Sequence, residues 1–198
     1  LTANTTGPSN VALGYQAAYS NTTGTANTAL GYLSLYSNTT GNNSTAIGYR
    51  AGYLSTASLT AIGNNTLDAN TTGTENVAVG LNQALGANTT GANNTAMGSF
   101  ALATNTTASH NSAFGKNALY ANITGAYNTA VGSTALQNNT ASDNVAVGYQ
   151  ALYANTTGTV NVAVGKALGS NTTGGNNIGI GFASLNLNTT GSQNVAMG

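Results

Sequence analysis

The sequence predicts an all-β chain: a parallel β-solenoid (β-roll) of about twelve coils with a ~17-residue repeat. Three observations carry that prediction. The motif N-x-A-φ-G, with φ a bulky apolar residue, recurs from end to end, closing on Gly14, Gly31, Gly48, Gly63, Gly80, Gly98, Gly115, Gly132, Gly148, Gly165, Gly181 and Gly198. A second motif, N-T-T-G, falls between copies and begins at Asn4, Asn21, Asn38, Asn70, Asn88, Asn155, Asn171 and Asn188. Only 3% of the 198 residues are charged and the formal net charge is zero, so identical rungs can stack without repulsion. Helical repeats need about 33 residues for two helices, and Thr-, Asn- and Gly-rich stretches form helices poorly.

A clear repeat runs from Asn144 to Val160, NVAVGYQALYANTTGTV. Its first segment alternates as a short strand does, so the second and fourth positions point one way and the third the other. The third position is Ala12, Ala29, Ala46, Ala61, Ala78, Ala96, Ala113, Ala130, Ala146, Ala163 and Ala196, with Gly179 in the remaining copy. That uniformity marks a lumen too narrow for a larger side chain. The fourth position holds Leu13, Leu30, Ile47, Ile62, Val79, Met97, Phe114, Val131, Val147, Val164, Ile180 and Met197. A strand apolar on both faces is normally buried on both, so these residues are assigned to an oligomer interface.

The strands start on Asn10, Asn27, Asn76, Asn94, Asn111, Asn128, Asn144, Asn161, Asn177 and Asn194, which are expected to form a rung-to-rung amide ladder. After the closing glycine a second strand of about five residues is expected, as in Y-Q-A-L-Y at 149–153. Its leucines, Leu35, Leu67, Leu85, Leu102, Leu119, Leu136, Leu152, Leu168 and Leu185, are placed in the core. N-T-T-G reads as the return turn, since Asn and Gly accept left-handed angles and Asn bonds its own turn. Twelve rungs ~4.8 Å apart make a rod about 55 Å long. Length variation, such as the 15-residue step from Gly48 to Gly63 and the 18-residue step from Gly80 to Gly98, falls mostly outside the N-x-A-φ-G strand.

Residues 1–198 read as one continuous array, opening in mid-repeat at Leu1 and closing on Gly198. No polar capping repeat is visible, so continuation into a longer fibrous protein is expected. Arg50, Lys116 and Lys166 are the cations and form no basic tract, which removes the electrostatic basis for binding nucleic acid. Apolar runs are too short to span a membrane. His110 lies in a turn, and Asp68, Glu75 and Asp143 sit in separate copies. No catalytic constellation, metal cluster or cofactor motif is assembled, so a non-enzyme without cofactor is expected.

The recurrent N-x-A-[VI]-G followed by x-x-A resembles the YadA-like head repeat of trimeric autotransporter adhesins, and is similar to repeats in phage tail fibres. The resemblance covers nearly the whole chain. It implies a left-handed parallel β-roll, three chains packed side by side, and a place outside the cell, at the cell surface or in a virion tail fibre. The N-T-T-G stretch is a departure from that repeat and enlarges the outer turn.

Two further surfaces are candidates. Tyr15, Tyr19, Tyr32, Tyr36, Tyr49 and Tyr53 recur at matching places in the first three copies, and Tyr149 with Tyr153 repeats the pair. They are expected to stack as an outward stripe, either packing across rungs or serving as a ligand surface for a glycan or matrix protein. The N-T-T-G turns also create N-x-[ST] sequons, and Asn21, Asn38, Asn70 and Asn155 are candidate glycosylation sites if the turns are exposed in a secretory setting. Alternatively, turn chemistry generates them without use. Ice binding would need threonines two apart on a flat strand face, whereas these are adjacent and irregularly spaced. The functional expectation is a structural or adhesive fibre segment acting with copies of itself, as a homotrimer or an end-to-end filament. A phage tail-fibre shaft is the alternative, ahead of a glycan-binding adhesin head.

Overall fold

A computed structural model of the chain describes residues 3–198; Leu1 and the mid-repeat start it marks lie outside the described residues. Twelve strands form: β1 (Val11–Leu13), β2 (Thr28–Leu30), β3 (Thr45–Ile47), β4 (Leu59–Ile62), β5 (Asn76–Val79), β6 (Thr95–Met97), β7 (Ser112–Phe114), β8 (Thr129–Val131), β9 (Val145–Val147), β10 (Val162–Val164), β11 (Ile178–Ile180) and β12 (Val195–Met197). They make one parallel sheet in sequence order, a β-solenoid of about eleven turns. Every rung is in register: Ala12 pairs with Ala29, Ala29 with Ala46, and so on along the lumen. The register survives the short step, where Thr45 pairs with Thr60, and the long one, where Val77 pairs with Thr95. The connecting turns absorb the difference.

The lumen follows from the alternation. The alanines from Ala29 to Ala163 are fully buried, and the leucines from Leu35 to Leu168 pack against them. At the strand end a side chain is impossible on two counts. Gly115 has φ 134°, and a Cβ there would stand 2.6 Å from the Gly132 carbonyl oxygen. Successive closing glycines therefore touch through their backbones. In N-T-T-G the glycine is favoured by space alone: Gly158 is not left-handed, but a Cβ on it would meet Asn155 Oδ1 at 2.5 Å and the Gly174 carbonyl, and where Ala108 takes the equivalent place the turn asparagine Asn105 has no partner for its Oδ1.

The segment after the closing glycine is not a second strand. Two positions there are left-handed, such as Phe100 at φ 59° and Leu102 at φ 50°, and the same pair recurs at Asn117 and Leu119 and at Gln150 and Leu152. In a strand, neighbouring side chains face opposite sides. Here Ala101 and Leu102 are adjacent and both fully buried in one lumen, which an extended chain along its wall cannot achieve. Two left-handed residues at roughly 1–2 kcal/mol each are comparable with the roughly 1.5–3 kcal/mol from burying a leucine, and the buried alanine beside it and the rung-to-rung backbone bonds add to the burial side. The expected strand becomes a corner. Parallel backbone bonds persist through it, as when Leu102 N–H donates to the Ala118 carbonyl at 3.0 Å.

The asparagine ladder at the strand starts forms as expected. The Asn111 N–H donates to Asn94 Oδ1 at 3.0 Å, Asn111 Oδ1 accepts from the Asn128 N–H at 3.0 Å, and Asn111 Nδ2 donates to the Gly125 carbonyl at 2.9 Å. One buried side chain thus ties three successive coils. A second ladder, not anticipated, runs through the N-T-T-G asparagines, with Asn88 Nδ2 donating to Asn70 Oδ1 at 2.8 Å and Asn105 Nδ2 to Asn88 Oδ1 at 2.9 Å. Each also closes its own turn: Asn38 Nδ2 donates to the Gly41 carbonyl, and Asn38 Oδ1 accepts from the Gly41 N–H at 2.8 Å. The first threonine adds a third tie. The Thr89 carbonyl accepts the Thr71 N–H, the Thr71 hydroxyl and the Thr72 N–H at 2.9, 2.9 and 3.2 Å.

The coil from Gly48 to Gly63 departs from these rules in compensating pairs. Gly52 occupies the leucine column, and the buried Leu59 stands where other strands begin with Asn. A Cβ on Gly52 would lie 3.2 Å from Leu35 Cδ2 and 3.4 Å from Leu59 Cδ1, so Leu59 fills the space that Gly52 leaves. Ser55 replaces the turn asparagine and keeps the ladder, its Oγ accepting from Asn70 Nδ2 at 3.0 Å.

Two substitutions test these packing assignments. Gly52→Leu alone overpacks the lumen and is expected to cost about 1–3 kcal/mol; combined with Leu59→Asn it restores the regular pattern. The double variant should therefore be more stable than the sum of the single losses predicts, read from chemical-denaturation midpoints. Asn111→Asp removes a donor and buries a carboxylate, a loss of at least ~1–3 kcal/mol near neutral pH. That carboxyl's folded pKa is raised by burial, so the loss is full above the folded value and shrinks as pH falls through it, which a pH series of the same midpoints checks.

Candidate functional site

No pocket organises this molecule, and its candidate sites are faces of the rod. The first is the outer face of the sheet. With Ala turned inward, the fourth-position side chains point outward: Met97 is 41% exposed, Phe114 37% and Ile180 38%. Val131, Val147 and Val164 are exposed to a similar degree, while Leu30, Ile47, Ile62 and Val79 are half-buried. Leu13 and Met197 are also exposed. All twelve assigned interface residues thus occupy one outward row, and the second-position residues from Val11 to Val195 line the row beside it.

The tyrosines form two columns where one stripe was expected. Tyr15, Tyr32 and Tyr49 stack with centroids 5.3 and 5.2 Å apart and ring planes within 12°. Tyr19, Tyr36 and Tyr53 stack at 5.4 and 5.3 Å. The second column ends under a cation: the Arg50 guanidinium lies 4.3 Å from the Tyr53 centroid and donates to both Asp68 carboxylate oxygens, at 3.1 and 3.2 Å. That hydrogen bonding holds the Arg50 pKa above its ordinary value, against the opposing pull of partial burial. The Asp68 carboxylate anchors this cap. Within the columns the ring faces cover one another, so mainly edges and hydroxyls meet solvent. Tyr149 has no such neighbour and faces the Lys166 ammonium at 5.9 Å; Tyr153 is half-buried. His110 stacks on Tyr127 at 5.0 Å on an exposed corner.

The sequon asparagines are not exposed. Asn21, Asn38, Asn70 and Asn155 are all at or below 1% exposure. The Nδ2 that would carry a glycan is committed inside the rod: Asn155 Nδ2 donates to Asn139 Oδ1 at 2.7 Å and to the Gly158 carbonyl at 2.8 Å. The expectation of glycan-bearing turns is therefore corrected, because in N-T-T-G the asparagine turns inward and the second threonine, as at Thr72, Thr90 and Thr107, faces out. The first threonine's hydroxyl, as at Thr71, is spent on the next rung.

A shallow groove of 280 Å³ opens beside β4 and β5, lined by Asn43, Ser58, Leu59, Thr60, Glu75, Asn76 and Val77. Its origin is the shortened coil. Asn43 and Glu75 occupy left-handed corners at φ 56° and 58°, and in the coil between them the shorter Ser58 side chain turns to the Asn42 carbonyl at 2.8 Å. Glu75 is the one titratable group in the lining. Among the described residues no cluster of three or more His, Cys, Asp or Glu could hold a metal ion, and no helix is long and apolar enough to cross a membrane.

Folded protein produced in a glycosylating host is expected to carry no glycan at Asn21, Asn38, Asn70 or Asn155. Intact mass before and after peptide-N-glycosidase treatment measures this, and a glycan on Asn70 or Asn155 in folded material would contradict their burial.

Comparison with protein-family models, with curated proteins and with solved structures gave no match.

Proposed function

We propose that this chain is a rigid shaft segment of an extracellular fibre, structural and adhesive in role, whose copies pack side by side as a homotrimer through the outward sheet face. The observation that carries the proposal is the unbroken apolar row from Leu13 to Met197 on an in-register sheet. Monomeric proteins rarely leave contiguous apolar patches above about 300–600 Å². A row of twelve rungs ~4.8 Å apart runs the length of the rod and offers each partner a continuous lateral contact. A spacer or shaft needs length, stiffness and lateral contacts, and continuous rung-to-rung bonding supplies the stiffness. The sequence resemblance to YadA-like heads and to tail-fibre repeats points to the same role, as a surface adhesin or as a tail-fibre shaft.

Recognition of a surface glycan or matrix protein by the tyrosine columns is the weaker reading, because their ring faces are engaged with each other. Sugar stacking requires a free aromatic face, and these columns offer mostly edges.

Sedimentation equilibrium with electron microscopy tests the proposal. The unmodified chain should sediment as a trimer and appear as rods. Phe114→Lys combined with Val131→Lys, both pointing outward and away from the core, should yield monomers with an unchanged circular dichroism spectrum. A monomeric unmodified chain, or a lysine variant that remains trimeric, would overturn it.

A further inference from the structure

We propose that the two tyrosine columns are a modification site, at which a one-electron oxidant joins neighbouring coils by dityrosine bonds. The chain contains no Cys and no Trp, so tyrosine is the side chain most readily oxidised by loss of a single electron. Most of the tyrosines within reach of one another lie in these columns. Tyr15 and Tyr32, Tyr32 and Tyr49, Tyr19 and Tyr36, and Tyr36 and Tyr53 are stacked at 5.2–5.4 Å. Tyr15, Tyr19, Tyr32 and Tyr49 are exposed, so an oxidant can reach them and one ring of a pair has room to tilt.

The chemistry balances within a pair. Each phenol gives up one electron to the oxidant, for instance a photogenerated metal(III) complex or a peroxidase consuming peroxide, and one proton to solvent. The two phenoxyl radicals then form a carbon–carbon bond between their Cε atoms, ortho to the oxygens. Each coupled carbon passes its hydrogen to its own oxygen by enolisation, restoring both phenols. The net loss is two electrons and two protons per bond. Holding the partners one rung apart makes the coupling step intramolecular, and such preorganisation is a large kinetic advantage.

The fold contains its own controls. Tyr120 meets the edge of Phe100 at 6.3 Å, Tyr127 stacks on His110, and Tyr149 faces Lys166. None of these contacts is with another tyrosine. Within the second column the Arg50 cation over Tyr53 opposes removal of an electron from that ring. Coupling should therefore favour the column of Tyr15, Tyr32 and Tyr49. Each bond there would tie residues 17 apart in sequence, a covalent link between successive rungs in a chain without disulfides.

The test oxidises the folded full chain with the photogenerated metal(III) complex, using an equal mixture of isotope-labelled and unlabelled chains. Dityrosine fluorescence and mass spectrometry of digested peptides are the readouts. The expected result is bonds within single chains among Tyr15, Tyr32 and Tyr49 and among Tyr19, Tyr36 and Tyr53. The Tyr32→Phe, Tyr36→Phe double variant keeps the stacked rings but removes the central phenols, and should lower the yield about tenfold or more. Tyr120→Phe with Tyr149→Phe should leave the yield unchanged. Four outcomes would overturn the proposal: no dityrosine, equal yield from the Tyr32 and Tyr36 variant or from unfolded chain, mixed-label bonds approaching the half of the total that random coupling between chains gives, or bonds to Tyr120, Tyr127 or Tyr149 as frequent as those within the columns. The peptide map of the unmodified chain decides between these outcomes even if a variant folds poorly.

Discussion

The rest of this structure depends on stacking like residues at like positions so that one side chain serves as both donor and acceptor to its own copies. Asparagine meets that requirement. Its amide offers two donors and an acceptor in one rigid group, so Asn111 can accept from Asn128 while donating to the Gly125 carbonyl. An aspartate column would place like charges one rung apart with no side-chain donor between them. The scarcity of charge along the whole chain follows from the same constraint: any side chain that repeats every rung must tolerate its own image ~4.8 Å away.

Paired buried amides let the core stay thin: the strand-start ladder is bonded rung to rung, while in the turn ladder Asn21, Asn105 and Asn122 each leave Oδ1 without a partner. A buried polar network stabilises where its members are satisfied and is costly where they are not, and here two amide ladders share the interior with two alanine columns, one on the strand and one beside the leucines, and one leucine column. The coil must close tightly around so little volume, and the left-handed corners provide the closure. Leu102 and its equivalents accept an unfavourable backbone conformation because adjacent alanine and leucine side chains can then both turn inward. The closing glycines carry the same message in backbone terms, since Gly115 has no room for a Cβ against the next coil.

A regular rod offers no singular site, so distinctive chemistry collects where the repeat is broken or decorated. The shortened coil between Gly48 and Gly63 brings together the Gly52 and Leu59 exchange, the groove beside Glu75, and Arg50 bound to Asp68 and capping a tyrosine column. The outward apolar row is the complementary case, a feature made by the regularity itself. Under the proposed function, that row packs against copies of the chain, and the rod acts through length and surface.

Much of this was legible in the sequence because each rung repeats the same test. Near-constant Ala at the third position marked the narrow lumen, the bulky fourth position marked the outward row, and the strand-start asparagines marked a ladder. The leucine column was placed correctly, yet the strand drawn around it was not. The signal was present, since consecutive Ala-Leu pairs violate a period of two, but left-handed leucines are rare enough that local propensity pointed to a strand. The inward turn of the N-T-T-G asparagines was hidden for a different reason. A turn motif and a glycosylation sequon share the same letters, and only the packing of neighbouring coils decides whether the amide faces solvent. The sequence by itself determined the period, the in-register stacking and the identity of each column, because those depend on what can sit against its own copy. The tertiary structure alone decided the corners, the two separate tyrosine columns and the compensation of Gly52 by Leu59, because these depend on how much space one closed coil leaves for the next.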